Sequence, residues 1–293
     1  MTVTIPATSA NLGPGFDTLG LALDIKNKVI IKPAKFSSVS LKGEGSKNPR
    51  LKNNNMFVNI FNDFHGNITN IKQNYRFEFF NEIPLSRGLG SSSAVIISAI
   101  ASAYAIENMK LDKQKLLNMA LSYESHPDNI TPAVMGGFTV ATVRNFEVNY
   151  IKKDLSKSLK AVLVIPNRPI STQLSRNTLP VKYSKEDTIS NISHSSILTA
   201  AFFSENWKML KEASDDRIHQ FYRMKQMPEL FTVQKIAYKH GALMSTLSGS
   251  GSTFFNLVYA DDAAMLVAKL KENFPHFKIF ACDFDNYGVE VEF

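Results

Sequence analysis

One stretch of the chain, residues 83–94, constrains the fold more than any other. Two glycines one residue apart, Gly88 and Gly90, precede three serines and then a run over 94–104 that is apolar almost all round. Because glycine has no Cβ, such a turn lets the backbone approach a ligand closely, and a helix that follows it offers unpaired N–H groups and partial positive charge. The stretch therefore predicts a buried helix whose N-terminus binds an anion, most often phosphate. A serine N-cap after a tight turn is the alternative.

The remaining periodicities predict an α+β or α/β protein, because strands and helices are mixed in both halves. Strands are expected at 2–5, 28–32, 39–42, 75–80, 138–143, 146–151, 161–165, 242–247, 253–259 and 278–281. Helices are expected at 56–64, 94–104, 171–179, 189–203, 207–214, 230–239 and 261–274, with another after the N-cap Asp112. Residues 7–16 read as a loop, because they are small, polar and rich in glycine. A polar break at 152–158 places a domain boundary between 1–155 and 156–293.

Composition excludes several classes of protein. The chain of 293 residues has no apolar run of about 18 residues, and its first residues lack the pattern of a signal peptide, so no membrane association is expected. A single cysteine, Cys282, rules out an internal disulfide and favours a reducing, cytoplasmic compartment. The net charge of +7 is spread without a basic stripe, which argues against nucleic-acid binding. A solvated basic surface or an enzyme that handles nucleotides accounts for it.

Two further glycine loops lie at 11–15 and 248–252, each between predicted regular elements. The chain contains neither G-x-x-x-x-G-K-[ST] nor G-x-G-x-x-G, so a P-loop and a Rossmann dinucleotide site are both disfavoured. Any nucleotide must therefore bind in another manner.

Polar residues at 124–129 form a second candidate site. Glu124 can hold Mg²⁺, a hard cation that prefers carboxylate and phosphate oxygens. His126 has no H-x-x-x-H partner or cysteine pair nearby, so a zinc site is not expected. The alternative is a polar C-terminus of the helix that begins after Asp112, stopped by Pro127.

Four charged or amide side chains could bind a small substrate. Asn11 and Asp17 flank the first glycine loop, although both residue types also form turns for local reasons. Arg176 and Arg223 lie among apolar neighbours on predicted helices, where arginine can clamp a carboxylate with two hydrogen bonds. An ordinary surface position is the alternative for each arginine.

These stretches together resemble a known family. Residues 6–17 look like the N-terminal signature of homoserine kinases, and 126–129 followed by Pro132-Ala133 and Gly136-Gly137 is typical of the same family. Residues 84–94 and 248–252 resemble the phosphate loop and third motif of the wider GHMP superfamily, which also holds galactokinase, mevalonate kinase and phosphomevalonate kinase. The similarity runs in order from about residue 2 to residue 259.

The resemblance implies a fold and an activity. It implies the GHMP kinase fold, with an N-terminal domain like the second domain of ribosomal protein S5 and a ferredoxin-like C-terminal domain. It also implies an ATP- and Mg-dependent transferase that phosphorylates the hydroxyl of L-homoserine to O-phospho-L-homoserine in threonine biosynthesis. A homodimer is usual in the family.

The resemblance also implies site residues. ATP would contact Asn55 and the phosphate loop, which consists of Pro84, Leu85, Ser86, Arg87, Gly88, Leu89, Gly90, Ser91, Ser92, Ser93 and Ala94. Ser92 and Glu124 would hold Mg²⁺. The residues around homoserine would be Asn11, Asp17, His126, Asn129, Thr172, Arg176 and Arg223. The catalytic set would be Asn129, Asp128, Glu124 and Arg176.

Details of this assignment are open at the level of sequence. Asp128 could act as a base, or the loose transition state of phosphoryl transfer could need none. Arg87 could touch a phosphate or face water, and Gly249 and Gly251 are expected to let the third loop pack on the phosphate loop.

Two other functions compete with this one. The acceptor could be another small alcohol, such as mevalonate or a diphosphocytidyl sugar alcohol, but Arg176, Arg223 and Asp17 suit the two charges of an amino acid better. The chain could instead be a non-catalytic nucleotide-binding module. Retention of Ser92, Glu124 and Asn129 disfavours this alternative, because a mere binder does not need metal and acceptor groups.

Overall fold

The computed structural model describes residues 1–69 and 73–293, and for Thr172 only the backbone. Its strands in chain order are β1 Thr2–Ala10, β2 Leu19–Ala34, β3 Ser38–Gly43, β4 Asn74–Asn81, β5 Phe138–Arg144, β6 Glu147–Lys153, β7 Leu159–Ile165, β8 Met244–Leu247, β9 Phe254–Tyr259, β10 Lys278–Cys282 and β11 Glu290–Glu292. Its α-helices are α1 Arg50–Asn53, α2 Met56–Ile68, α3 Ser91–Ile106, α4 Lys113–Ala120, α5 Pro127–Met135, α6 Thr172–Asn177, α7 Lys185–Ser204, α8 Leu210–Ala213, α9 Gln220–Met224, α10 Glu229–Lys239 and α11 Ala263–Asn273. Short 3₁₀ turns cover Trp207–Met209 and Ala260–Asp262.

The first half of the chain builds one sheet. Its strands follow the order β11-β1-β2-β4-β3, and β5 and β6 extend it from the start of β2. Neighbours are antiparallel except for β3 and β4. Helix α3 packs on β1, and helices α2, α4 and α5 surround α3. This covering explains why α3 is apolar on every side, since its buried residues are not confined to one stripe.

The second half builds a four-stranded antiparallel sheet with the order β10-β7-β9-β8. Helix α10 lies between β7 and β8 in the chain, and α11 lies between β9 and β10. This is the β-α-β-β-α-β arrangement of a ferredoxin-like domain. The α+β fold with a ferredoxin-like second half is therefore confirmed.

The second sheet is buried on both faces. Consecutive residues of β7, such as Leu163 and Val164, point to opposite faces and belong to two different apolar clusters. One cluster continues into the first half of the chain, and the other lies against α10 and α11. Burial on both faces explains the unbroken apolar run over 161–165. The division at 155/156 stays a prediction, because a single apolar cluster crosses it.

Two expectations about elements are wrong. Residues 7–10 continue β1 instead of forming a loop, because their small side chains sit buried against the phosphate loop, where Thr8 N–H donates to the Leu89 carbonyl. Residues 124–129 are not a helix C-terminus: α4 ends at Ala120, and Pro127 begins α5, where its fixed φ suits the first helical turn. Strand β11, which pairs with β1, was not expected. No described helix is long and apolar enough to cross a membrane.

Candidate active site

The phosphate loop leads directly into the N-terminus of α3. Gly90 is the N-cap residue, with φ of +67°, and no side chain caps the helix. The serine-cap interpretation is therefore wrong, and the helix end depends on backbone geometry that glycine adopts readily. Ser92 is exposed in the first turn, whereas Ser93 and Ala94 are buried. The first turn of α3 thus has an uncapped N-terminus and an exposed hydroxyl at Ser92, which are features of an anion site.

The third glycine loop packs on the phosphate loop, as the sequence predicts. Ser248 Oγ donates to the Gly88 carbonyl oxygen over 2.6 Å, and Thr253 N–H donates to the Arg87 carbonyl over 3.0 Å. A Cβ at Gly88, whose φ is +75°, would collide with the Ser248 carbonyl oxygen. The close approach of the two loops thus requires glycine at this position.

Arg87 is partly buried and contacts backbone carbonyl oxygens. Its Nε donates to the Pro166 carbonyl oxygen over 3.1 Å, and Nη1 donates to that of Leu85 over 3.2 Å. Partial burial lowers the pKa of the guanidinium. Arg87 therefore ties the phosphate loop to the end of β7, and its contact with a phosphate stays a prediction.

The first glycine loop is held against the third by Asn11. The buried Asn11 Nδ2 donates to the Gly249 carbonyl oxygen over 3.0 Å, and its Oδ1 accepts from Asp17 N–H over 3.0 Å. Asn11 and Asp17 both have positive φ, of 71° and 57°. Both ends of the Asn11 amide are thus engaged by protein, and the turn directs Asp17 outward.

Asp17 is the centre of a half-buried charged cluster. Both of its carboxylate oxygens accept from Arg176, over 2.7 and 3.1 Å. His126 Nε2 lies 3.6 Å from the same carboxylate. Although partial burial opposes it, the Asp17 partnership raises the pKa of Arg176. Arg176 thus presents a fixed, permanently charged guanidinium beside the first loop.

Arg223 is more deeply buried than Arg176. Its Nη1 donates to the Gly249 carbonyl over 3.0 Å, while its Nε is buried without a hydrogen-bond partner. Burial, and then the charge of Arg176, lowers the pKa of Arg223 to about 10. The guanidinium carbons of Arg176 and Arg223 lie 5.3 and 5.1 Å from the centre of the Phe16 ring. An aromatic ring therefore supports both cations.

Helix α5 links this cluster to the phosphate loop. Asn129 Oδ1 accepts from Thr8 Oγ1 over 2.7 Å and lies 3.2 Å from the position of a Cβ on Gly90. The preceding residue, Asp128, is fully buried, and burial raises the pKa of its carboxyl to about 7, with further contributions from the charges of Asp17 and Glu124. Asn129 Nδ2 donates to Asp128 over 3.3 Å.

Glu124 lies just before α5 and is paired with His126. Its Oε1 is 3.0 Å from His126 Nδ1, and this hydrogen bond raises the pKa of His126. Among residues 1–69 and 73–293, no group of three or more His, Cys, Asp or Glu side chains could form a protein-only metal site. Glu124 and the exposed Ser92 hydroxyl nevertheless supply oxygen ligands of the kind that Mg²⁺ prefers.

For two predicted site residues, the described atoms show no contact with this arrangement. Asn55 caps α2: its Oδ1 accepts from Val58 N–H over 3.2 Å, and its Nδ2 donates to the Leu51 carbonyl over 2.9 Å. The Thr172 side chain lies outside the described atoms. A cavity of about 1080 Å³ between 43–49 and 280–282 shares no lining residue with the predicted ATP or homoserine set.

The structure adds residues that sequence reasoning missed. Thr8, Phe16 and Ser248 touch predicted site residues, and each lies inside a stretch whose family signature was visible. His219 contacts Arg223 and the first loop, but no sequence pattern marks it. Only the fold brings it to the site.

The fold and the site define a class: a small-molecule kinase of the GHMP type. Models of the GHMP kinase N-terminal and C-terminal domains match residues 55–137 and 198–276. The chain is 71% identical to a homoserine kinase of Aliarcobacter butzleri over all of both chains, and 59% identical to one of Nitratiruptor sp. over the same extent. The chain belongs to the homoserine kinases.

A solved structure agrees on the fold. The crystal structure of homoserine kinase from Cytophaga hutchinsonii superposes with a TM-score of 0.87 at 24% identity, and covers 100% of this chain and 97% of that one. Membership of a kinase family implies that ATP is used.

Proposed function

We propose that this chain transfers the γ-phosphoryl group of ATP to the side-chain hydroxyl of L-homoserine, which yields O-phospho-L-homoserine for threonine biosynthesis. The observation that carries the proposal is the placement of α5. Its Asn129 lies against Gly90 of the phosphate loop. The charges of Asp17 and Arg176 act on the pKa of the adjacent Asp128. An alcohol held at this junction would be close both to the phosphates of ATP and to the charged cluster around Asp17. The family membership supports the same reaction.

The charged groups suit both ends of a zwitterionic amino acid. Arg223, which has a buried unpaired Nε, and Arg176 are assigned to the carboxylate. Asp17 and Asp128 supply negative charge for the ammonium group. Asn129 is assigned to the hydroxyl. His126, Thr172 and Asn11 complete the proposed set, with Asn11 acting through the two loops that it joins.

The phosphate loop and the N-terminus of α3 are assigned to the phosphates of ATP. Residues 88–93 provide peptide N–H groups at a helix end that no side chain caps. Ser92 and Glu124 would hold Mg²⁺, which would neutralise charge on the phosphates. Asn55 is assigned to the adenine only by its position, because its amide is already engaged within α2.

Asp128 is proposed as the acceptor of the hydroxyl proton. A base is most useful when its pKa is near the working pH, and burial brings Asp128 to about 7. We expect Asp128→Asn to lower kcat by about 100-fold or more. A loss of only a few-fold would reject the assignment in favour of transfer without a strong base.

A coupled ADP-release assay with ATP, Mg²⁺ and a panel of alcohols tests the proposed substrate. L-Homoserine should be turned over well, while mevalonate, which has no ammonium group for Asp17 and Asp128, should be at least about 100-fold worse in kcat/KM. No turnover of homoserine would overturn the proposal, and tight ATP binding without any transfer would favour a non-catalytic module.

Two broader properties are part of the proposal. We assign the enzyme to the cytoplasm, because Cys282 is the sole cysteine, and to a homodimer, as the commonest soluble assembly. Light scattering on the eluted protein tests the second assignment: a mass of 32.7 kDa would indicate a monomer.

A further inference from the structure

His219 lies behind the proposed acceptor site, at the point where α9 meets the first glycine loop. The side chain is completely buried, and its Nε2 is 2.8 Å from the Gly13 carbonyl oxygen. Its Nδ1 is 3.3 Å from Arg223 Nη1. The ring centre lies 5.1 Å from that of Phe16, the aromatic ring beneath both arginines. His219 therefore touches three parts of the site without facing solvent.

The hydrogen-bond partners allow one protonation state. A carbonyl oxygen can only accept, so Nε2 must carry the proton that is donated to Gly13. Arg223 can only donate, so Nδ1 must be the unprotonated acceptor. The imidazole is therefore neutral, and burial together with the Arg223 charge lowers the pKa of His219 in agreement with this state.

Asp216 Oδ2 is 3.6 Å from His219 Nε2, and its charge favours the protonated ring, but burial lowers the pKa of His219 by more than Asp216 raises it. Its two carboxylate oxygens accept backbone N–H groups of Ile218, His219 and Gln220, over 3.0, 3.0 and 2.6 Å. The carboxylate thus holds the start of α9 in place. This fixes the backbone that carries both His219 and, one turn later, Arg223.

Arg223 is oriented by these contacts. Its Nη1 is shared between His219 and the Gly249 carbonyl, and its Nε has no protein partner. A planar guanidinium held at one nitrogen by two acceptors cannot rotate freely, so its unpaired edge keeps a fixed direction. Without His219, one of the two acceptors is lost.

We propose that neutral His219 is a positioning residue for the acceptor substrate: it orients Arg223 and couples it to the first glycine loop through Gly13. The inference rests on the proposed function, because it assigns Arg223 to the homoserine carboxylate. Its effect should be confined to the acceptor side, since none of the contacts of His219 described above involves the phosphate loop.

The test compares steady-state constants for both substrates in three variants. His219→Phe keeps a ring against Phe16 but removes both polar contacts, whereas His219→Gln keeps an N–H donor that can reach Gly13. His194→Ala on α7 is the matched control. We expect His219→Phe to raise the KM for homoserine at least about tenfold with the KM for ATP changed less than about twofold, and His219→Gln to recover part of the loss.

The outcomes separate the inference from the proposed function. Absence of homoserine turnover in the unmodified enzyme would overturn both. Turnover with equal rises in the two KM values, or with an unchanged KM for homoserine in both His219 variants, would overturn the positioning role alone. If His219→Phe fails to fold, His219→Leu, which also removes both polar contacts, takes its place, and a native melting temperature with an unchanged homoserine KM in that variant would reject the positioning role.

Discussion

Among single residues, Asp128 has a raised pKa that suits a base, and the same shift lowers the free energy of unfolding at neutral pH. A carboxyl that titrates at 3.8 when solvated, but at about 7 when buried in this fold, holds its proton in the folded state over a pH range where the unfolded chain has lost it. The folded protein then binds more protons between these values. Its free energy of unfolding must therefore fall as the pH rises from about 4 to about 7.

The first prediction follows from that sign. The pKa difference corresponds to about 4 kcal/mol as an upper bound, so Asp128→Asn should make the protein more stable at pH 8, by about 2–4 kcal/mol, and not at pH 4.5. Urea unfolding at both pH values measures this change. Asp154→Asn, at an exposed carboxylate paired with Lys152, is the control and should change stability by less than about 1 kcal/mol. Equal effects at the two pH values would contradict the prediction.

The pair of Asp17 and Arg176 gives the second prediction. Two parallel hydrogen bonds define the guanidinium plane, which lysine cannot reproduce. We expect Arg176→Lys to raise the KM for homoserine about tenfold while the KM for ATP stays within about twofold. Arg168→Lys, at an exposed arginine, should leave both constants unchanged. A rise in the KM for ATP alone would show that Arg176 binds ATP and not homoserine, which would contradict the prediction.

At the scale of elements, the site is a junction of three loops, and Gly88 is the tightest point. We predict that Gly88→Ala will weaken ATP binding at least about tenfold and lower the free energy of unfolding by about 1–3 kcal/mol, because φ is positive there and the new methyl would displace the Ser248 carbonyl. Gly66→Ala is the matched control. Nothing lies near its Cβ position within α2, so alanine should stabilise the protein by about 0.5–1 kcal/mol. Titration calorimetry with a non-hydrolysable ATP analogue and urea unfolding give the two readouts.

The same elements show what the sequence could predict. Helix α2 and strand β4 were predictable because each exposes one face, so that their periodicity follows burial. The end of β1 could not be predicted, because its residues are small to allow contact with the phosphate loop and do not have high strand propensity. Helix α5 was hidden by Pro127, which ends some helices and begins others, and this choice depends on what packs around it.

The candidate site divides in the same way. Residues within contiguous signatures, such as Asp17 and Asn129, could be named from sequence, since each signature is local. The contact of His219 with Gly13 and the role of Asn11 between two loops could not, because each joins residues more than 200 positions apart in the chain. Their partners are brought together only by the packing of the two halves. The unpaired Nε of Arg223 is likewise visible only in the folded structure.

For the whole molecule, that packing includes a return of the chain to the first sheet. After β10 the chain leaves the second sheet, and β11 pairs with β1. The turn between them is held by Asp285, whose side chain is 1% exposed and forms a 2.8 Å ion pair with Lys26 on β2. The Asp285 carbonyl accepts from Gly137 N–H, just beyond the end of α5. The C-terminal segment therefore supports the helix that carries Asp128 and Asn129.

The last prediction tests this support. Asp285 Oδ1 also accepts the N–H groups of Tyr287 and Gly288, over 2.9 and 2.6 Å, so Asp285→Ala removes two turn hydrogen bonds as well as the ion pair. Lys26 can regain water, because its side chain is 30% exposed, and we therefore expect the free energy of unfolding to fall by about 3 kcal/mol, at the low end for a buried pair. Glu290→Gln is the matched control: its exposed carboxylate lies 4.0 Å from the same lysine, and it should cost less than about 1 kcal/mol. Because the C-terminal segment contacts the chain just beyond the end of α5, kcat should fall in Asp285→Ala. The fall should be seen at temperatures where circular dichroism shows that the variant is still fully folded. Loss of stability with native kcat would show that the segment secures the sheet but does not position the catalytic helix.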